Sequence, residues 1–237
     1  MSNTSSYLSF DGVQTYIEVP ESPDFSVPTT GQLTASAWIQ PETSQPGSLI
    51  FPTTEGGGES YVHWMGKGDA NQQEWTFRIY SADNTVGRAN RISFYVFNLD
   101  GGFGIGSHYQ DPANPVVPGV WLHVVGAADG EKTYIYINGV LIESNVYTPT
   151  ITPQHGAAPF RIGTRDFSSY FLGQIREVRF WNRKLTDAEV QALYASDTVP
   201  ANGLVAEYLL TQDVAQDTTN GHNGVISNGS WVPQTED

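Results

Sequence analysis

Three stretches of this chain gather oxygen donors, aromatic rings and cations at spacings that suggest chemistry. In DTTNGHNG, Asp217, Asn220 and Asn223 recur at intervals that a hard cation such as Ca²⁺ can bridge, and Asp213 lies just before them. The same spacing suits an Asx-rich turn whose side-chain oxygens accept from nearby backbone, so a Ca²⁺ loop and a turn both stand as readings. GKGDANQQE is a second oxygen-rich stretch, with Asp69 and Asn71 able to line a rim. A pyranose needs an aromatic face to stack on and amide, carboxylate or guanidinium groups converging on its hydroxyls. Trp64 with Lys67 and Asp69, Tyr109 beside His108, Gln110 and Asp111, and Arg165 and Asp166 ahead of Tyr170 offer that combination near strand ends. The predicted glycan contacts are therefore Trp64, Lys67, Asp69, Asn71, Tyr109, Arg165, Asp166 and Tyr170, against the rule that a lone aromatic is more often core.

Catalytic constellations are weaker. A glycoside hydrolase needs two carboxylates facing each other across a groove, whereas Glu59, Glu74, Glu143 and Glu177 sit singly in different elements and read as solvated surface. A polysaccharide lyase needs a neutralising Arg or Gln, a His and a Tyr on one concave face, and QIREVRF matches that only in part. Of His63, His108, His123, His155 and His222, His123 in VWLHVV reads as a packed strand residue, and no two are placed as a metal pair. NLDGGFGIG has no helix after it whose amides could hold a phosphate, and reads as a tight hairpin. No catalytic residue is assigned, and the enzyme question stays open with binding favoured.

Composition narrows the partners. With 25 acidic against 11 basic residues and a formal net charge of −14, the chain is ill suited to the phosphate neutralisation that gives nucleic-acid binders their affinity. Nucleic acid and membrane insertion are excluded as expectations, the second because no apolar run is long enough to span a bilayer. Cysteine is absent, so neither disulfides nor thiolate metal sites enter. The start, residues 1–7, lacks a basic region and an apolar stretch, so no export signal is legible in it.

The elements that must position these groups read as strands. With 24 Gly and 14 Pro punctuating short apolar runs, helix is expected to be scarce. YLSFDGVQTYIEV gives two strands about Asp11-Gly12, with Leu8, Phe10, Tyr16 and Val19 as core candidates. In LTASAWIQP, Leu33, Ala35, Ala37 and Ile39 share one face and Thr34, Ser36 and Trp38 the other, and Pro41 ends the run. ESYVHWMG, EWTFRIYS, RISFYVFN, VWLHVVGAADG and EKTYIYINGVLIES follow, with Asp129-Gly130 and Asn138-Gly139 as hairpin turns. LGQIREVRFWNR alternates imperfectly at Ile175, Val178 and Phe180, the mark of a bulge. One helix is predicted near 186–195: Thr186 and Glu189 form a capping box, Leu185 and Val190 a staple, and Val190, Leu193 and Tyr194 a buried stripe. GLVAEYLL and VISNGSWV add two last strands before an acidic, frayed terminus. The result is an all-β, two-sheet antiparallel sandwich with one short helix.

YLSFDGVQTYIEVP, LTASAWIQP, GKGD, VWLHVVGAADG, TYIYINGVLI, PFRIGTRD and IREVRFWNRKLTDAEVQALY occur in the order seen in LamG-like jelly-roll domains. Across nearly its whole length the chain resembles that branch of the concanavalin A-like lectin/glucanase superfamily. The resemblance implies one jelly-roll domain over 1–237 and an extracellular setting. Joined to the site candidates, it gives the expectation of a lectin-like domain for a glycan or glycoprotein surface; the excess carboxylate adds Ca²⁺ as the candidate cofactor, and weak single sites would favour a homo-oligomer or a larger assembly. Where the family commonly carries two adjacent acidic residues in its first turn, this chain has Gln14 and Thr15. The superfamily also holds adhesion modules, lyases and hydrolases, so protein binding and glycan cleavage remain as alternatives.

Overall fold

The structure is a computed structural model that describes residues 6–99, 104–196, 198–211 and 215–233. Fifteen strands are present among those residues. One sheet contains β1 (Ser6–Asp11), β3 (Leu33–Pro41), β8 (Leu122–Ala128), β9 (Lys132–Ile137), β10 (Val140–Val146), β12 (Leu172–Trp181), β13 (Leu204–Tyr208) and β15 (Ser230–Pro233). Its order is β10-β9-β8-β3-β12-β1-β15, with β13 also paired to β12. The other contains β2 (Tyr16–Val19), β4 (Tyr61–Asp69), β5 (Gln72–Tyr80), β6 (Ile92–Phe97), β7 (Gly104–Tyr109), β11 (Phe160–Ile162) and β14 (Val225–Ser227), in the order β14-β2-β11-β4-β5-β6-β7. Every pairing between these strands is antiparallel. The two sheets pack face to face as the expected jelly-roll sandwich.

Alternation builds the core. Leu33, Ala35, Ala37 and Ile39 point inward from β3 as their spacing predicts. Phe160 on β11 is packed by Trp75, Phe25 and Phe180, with ring centroids 4.7–5.8 Å away, so aromatic contacts join the sheets. The bulge expected in β12 is real. Register shifts between Arg176 and Arg179 while Glu177 adopts φ +53°, and this lets β1 pair with the first half of the strand and β13 with the second. The Asn138-Gly139 turn has φ +51° and +79°, the conformation a two-residue hairpin requires.

A short α1 (Val27–Thr30) that the sequence did not announce follows a 3₁₀ turn at Pro23–Phe25. The capped helix is α2 (Asp187–Ser196): Thr186 Oγ1 accepts from Glu189 N and Glu189 Oε2 accepts from Thr186 N. Val190 and Leu193 close over Val125, Tyr136 and Trp181, so α2 covers part of the eight-stranded sheet. Tyr194 departs from the predicted buried stripe; it is exposed and stacks on Trp38 at 5.6 Å. Tyr16 also departs, because Ile17 and Val19 take the inward positions of β2. Parts of the NLDGGFGIG loop (100–103) and the terminal residues 234–237 lie outside the described residues.

Candidate functional site

Along the seven-stranded sheet, Ile17, Ile162, Met65, Phe77 and Phe94 stand opposite one another and are wholly buried. The alternate row must therefore face away from the core: Glu18, Arg161, Gly66, Thr76, Tyr95 and Gly106. Beside it runs His63, Arg78, Ser93 and His108. This outer face carries two adjoining groups of side chains.

At one end, loop 163–171 folds back over β11. Arg161 is almost fully buried and tethers three elements, with Nε donating to Glu18 Oε2 and Nη1 to Asp69 Oδ1 (2.8 Å each), and Nη1 also to the Arg165 carbonyl. Its guanidinium lies 4.3 Å from the centre of the Phe167 ring. Phe167 is 42% exposed, adopts φ +67°, and meets the edge of Tyr16 at 5.0 Å. A bulky residue in left-handed conformation costs about 1–2 kcal/mol. The loop sustains it through Phe167 N donating to Thr164 Oγ1 and Thr164 Oγ1 donating to the Ser169 carbonyl.

In the middle of the sheet, Glu55 Oε1 accepts from Ser169 Oγ (2.8 Å) and bonds His63 Nδ1 (2.5 Å), while Arg78 Nε donates to His63 Nε2 (3.0 Å). The imidazole thus carries its proton on Nδ1 and accepts at Nε2. Burial first, and then the guanidiniums of Arg165 and Arg78, hold its pKa well below the ordinary histidine value, so the ring is neutral despite the carboxylate beside it. Arg78 lies against Tyr61 (4.7 Å), Tyr95 (4.9 Å) and Phe97 (5.5 Å). Arg165 crosses over Gly66 and pairs through Nη2 with Asp166. A Cβ on Gly66 would sit 3.0 Å from Arg165 Cγ and 2.8 Å from Thr76 Oγ1, so only glycine leaves that path open.

Of the predicted contacts, Asp69, Arg165, Asp166 and Tyr170 gather around loop 163–171, with Tyr170 half-buried and its N–H bonded to Thr53 Oγ1. Asn71 is the exposed turn residue between β4 and β5, at φ +62°. Trp64 requires correction. A bulge between His63 and Met65 turns it fully into the core against Phe77, where it offers no face to a ligand. Lys67 also points inward, donating to Glu74 and the Gly156 carbonyl, which makes Glu74 a buried partner rather than the solvated residue expected. Tyr109 sits at the far edge of the sheet with its hydroxyl on the Asn114 carbonyl. Near it lies a separate cleft of about 390 Å³ lined by Asn90, Gln110, Asp111 and two prolines.

Arg161, Phe167, Glu55 and Arg78 escaped the sequence reading, which places Tyr16 in the core and weighs His63 only as one of five histidines. The signal for Arg78 was present in EWTFRIY, where Trp75, Phe77 and Ile79 alternate inward and leave Arg78 on the opposite face of a central strand.

The proposed Ca²⁺ loop does not fit a cation. Asp213 lies outside the described residues. Asp217 accepts from the backbone N–H of Glu207, Thr219, Asn220 and His222 and from the Thr219 hydroxyl. Burial raises its pKa, but these donors prevail and leave it at about 2. Asn223 Oδ1 accepts from Asp217 N, and the Asn220 amide donates to the Val205 carbonyl. The loop is an Asx-organised turn in which the Asp217 carboxylate and Asn223 Oδ1 already accept from the loop's own donors. Glu55, His63 and Asp166 also cluster closely enough to suggest a metal, but both ring nitrogens are taken and Arg165 holds Asp166.

With this geometry in view, residues 11–191 match the family described as Laminin_G_3 of the concanavalin A-like lectin/glucanases superfamily. The chain belongs to that superfamily. No curated protein sequence matches it significantly. Among solved structures, this jelly roll is similar to a candidate carbohydrate-binding protein of Bacteroides ovatus (TM-score 0.64, 20% identity, 97% of this chain and 60% of that one). It also resembles the heptameric SAP-like pentraxin of Limulus polyphemus (TM-score 0.56, 12% identity, 94% of each chain). A third neighbour is the receptor-binding domain of botulinum neurotoxin mosaic serotype C/D (TM-score 0.50, 14% identity, 69% and 36%). The chain thus spans 60% of the length of the first neighbour, and at these identities the likeness establishes the fold of the superfamily member.

Proposed function

We propose that this chain is a lectin-like domain that binds a glycan on the outer face of its seven-stranded sheet, beside loop 163–171. The observation that carries the reading is Phe167, a solvent-facing ring kept in a strained backbone conformation and backed by Arg161 and Tyr16. Glu18 and Asp69, fixed by the same arginine, place carboxylate oxygens beside that ring for sugar hydroxyls. The structural similarity to a candidate carbohydrate-binding protein agrees with this assignment. A glycan array probed with the wild type and Phe167→Asn, with EDTA and with added Ca²⁺, tests it. Hits that survive EDTA and disappear in the variant are expected; hits unchanged by the variant refute this site.

A second reading has its own support, since Arg78, His63 and Tyr61 form the Arg, His and Tyr combination that a polysaccharide lyase requires. His63 is wholly enclosed and its Nε2 is occupied by Arg78, so it could act as a base only after rearrangement. An ultraviolet-absorbing unsaturated product from uronate polymers would establish cleavage. Val140, Ile142 and Val146 leave an apolar exposed surface on edge strand β10, the feature an adhesion module would use.

A further inference from the structure

We infer that the glycan taken by this face carries an anionic group, a carboxylate or a sulfate ester, held by Arg78 with the buried cation of Arg165 behind it. The inference rests on the glycan-binding reading and names the ligand class for the same site. In a chain of net charge −14, every other arginine has a carboxylate partner except Arg91, which Gln110 engages. Arg78 has none among the described residues. The corresponding arginine of the other sheet, Arg176, also lies over three rings, Tyr7, Trp38 and Trp121, yet it is paired with Glu177 at 3.5 Å.

Arg78 is nevertheless fixed in place. Tyr61 and Tyr95 confine its guanidinium, and its Nε is held by a histidine that the surroundings keep neutral. A carboxylate at position 63 would orient the arginine equally well and cancel its charge. The neutral imidazole, itself aligned by Glu55, orients the cation and leaves the charge for something else. The half-buried guanidinium keeps both terminal nitrogens free of any hydrogen bond among the described residues. That fork matches two oxygens of a carboxylate or sulfate.

Arg165 supplies the independent second observation. Its side chain is only 3% exposed, yet Nε and Nη1 have no partner, and Nη2 alone is satisfied by Asp166. Buried guanidinium donors left unpaired are costly and call for an acceptor. Arg165 and Arg78 both act electrostatically on His63 and on Tyr61, so the two cations serve one locality. Burial holds the Tyr61 and Tyr95 phenols protonated, and Tyr95 stacks on Phe97 at 5.8 Å, so hydroxyl donors and an aromatic surface adjoin the guanidinium. The strongly acidic remainder of the chain repels dense polyanions, which limits the ligand to a saccharide with sparse or terminal charge.

The test compares a neutral oligosaccharide ending in a single uronate with its methyl ester, and a singly 6-sulfated N-acetylglucosamine oligosaccharide with its desulfated form, by calorimetry. Variants Arg78→Gln, Arg78→Lys and Arg165→Gln are first checked for cooperative thermal unfolding. At least about a tenfold preference for one charged member over its neutral twin is expected, lost in Arg78→Gln and partly kept in Arg78→Lys; which pair shows it decides between carboxylate and sulfate. His63→Gln, which retains an acceptor for Arg78 and a donor for Glu55, should keep the preference that His63→Leu loses. Equal binding of charged and neutral twins, or a preference that survives Arg78→Gln, overturns the anionic assignment and leaves glycan recognition standing. Failure of every saccharide, here and on the array, defeats both.

Discussion

Replacing Phe167 by Asn separates what the ring does for the fold from what it does for a ligand. In the folded chain the ring lies over Arg161 at 4.3 Å and against Tyr16 at 5.0 Å. Such contacts contribute about 0.5–1 kcal/mol and about 0.5–1.5 kcal/mol respectively. Against them stands the roughly 1–2 kcal/mol cost of holding a bulky residue at φ +67°, a conformation that asparagine tolerates far better. The opposing effects nearly cancel, so stability should change by no more than about 1 kcal/mol, a shift of roughly 2–4 °C in Tm for a chain of this size. Binding should respond differently. If a sugar covers about a third of the roughly 180 Å² that a phenyl group can bury, about 25 cal/mol per Å² gives some 1.5 kcal/mol, or about tenfold in Kd. Calorimetric titration and differential scanning calorimetry on the same preparations measure both. A Tm drop of 10 °C or more, or a Kd within about twofold of wild type, would refute the reasoning that the strain is maintained for a ligand.

Three further outcomes follow from the geometry. His123, buried with its ring tilted against Trp38 at 5.2 Å, has a pKa lowered from 6.5 to about 4, by burial first and then by Arg179. Its folded pKa lies below its unfolded one, so its contribution is complete above about pH 6.5 and is lost as pH falls toward 4; between about pH 7.5 and pH 5 this amounts to about 2 kcal/mol. Urea unfolding of His123→Phe at both pH values should show an acid destabilisation smaller by that amount, and parallel losses in variant and wild type would contradict it. Asp217→Asn should lower stability by about 2 kcal/mol through its backbone bonds, equally in EDTA and in Ca²⁺; a Ca²⁺-dependent stabilisation of wild type that the variant lacks would restore the metal reading. Gly66→Ala forces a methyl against Arg165 and Thr76, and should cost about 1–3 kcal/mol while weakening any preference for charged saccharides, whereas unchanged stability and selectivity would show that Arg165 can move aside.

Much of the sandwich was legible because local rules agreed with the global fold. Leu33, Ala35, Ala37 and Ile39 alternate, Thr186 and Glu189 cap α2, and broken alternation after Ile175 marked the bulge that the structure places at Glu177. The site was less legible because it depends on departures from those rules. The bulge in β4 makes Trp64 and Met65 both core residues, so strict alternation misassigns the tryptophan. Lys67 reads as a surface cation until Glu74 and the Gly156 carbonyl arrive from other parts of the chain to hold its ammonium. Phe167 lies in a loop without periodicity, and its exposure follows from a positive φ that no composition rule assigns to phenylalanine. Asp69 and the trio Arg165, Asp166 and Tyr170 were picked from separate stretches and meet at one end of the sandwich, but Arg161, which joins that end together, was hidden between the core residues Phe160 and Ile162.

The two sheets treat their outer faces differently, and this difference bears most directly on function. On the eight-stranded sheet, α2 closes over Tyr136 and Trp181, while Arg176 fills the space between Tyr7, Trp38 and Trp121 and is paired by Glu177. Its central cation thus has a carboxylate beside it, although Arg176 Nε, the Ser36 hydroxyl and His123 Nδ1 lack hydrogen-bond partners among the described residues. The seven-stranded sheet has no such helix among the described residues, and it leaves Arg78 without a counter-ion, Arg165 with unpartnered donors and Phe167 exposed in a strained loop. Each of these carries a cost that selection for stability alone would remove, by a carboxylate at position 63, a shorter side chain at 165 or a glycine at 167. All three fall on one sheet face, and two of them within loop 163–171, the loop that Thr164 and Ser169 brace and that Glu55 ties to His63. A ligand that supplies an anion to the guanidiniums and a flat apolar surface to the rings would satisfy all of them at once. That shared remedy is why the outer face of the seven-stranded sheet, rather than the acidic loop at Asp217 or the cleft beside Gln110, is proposed as the recognition surface.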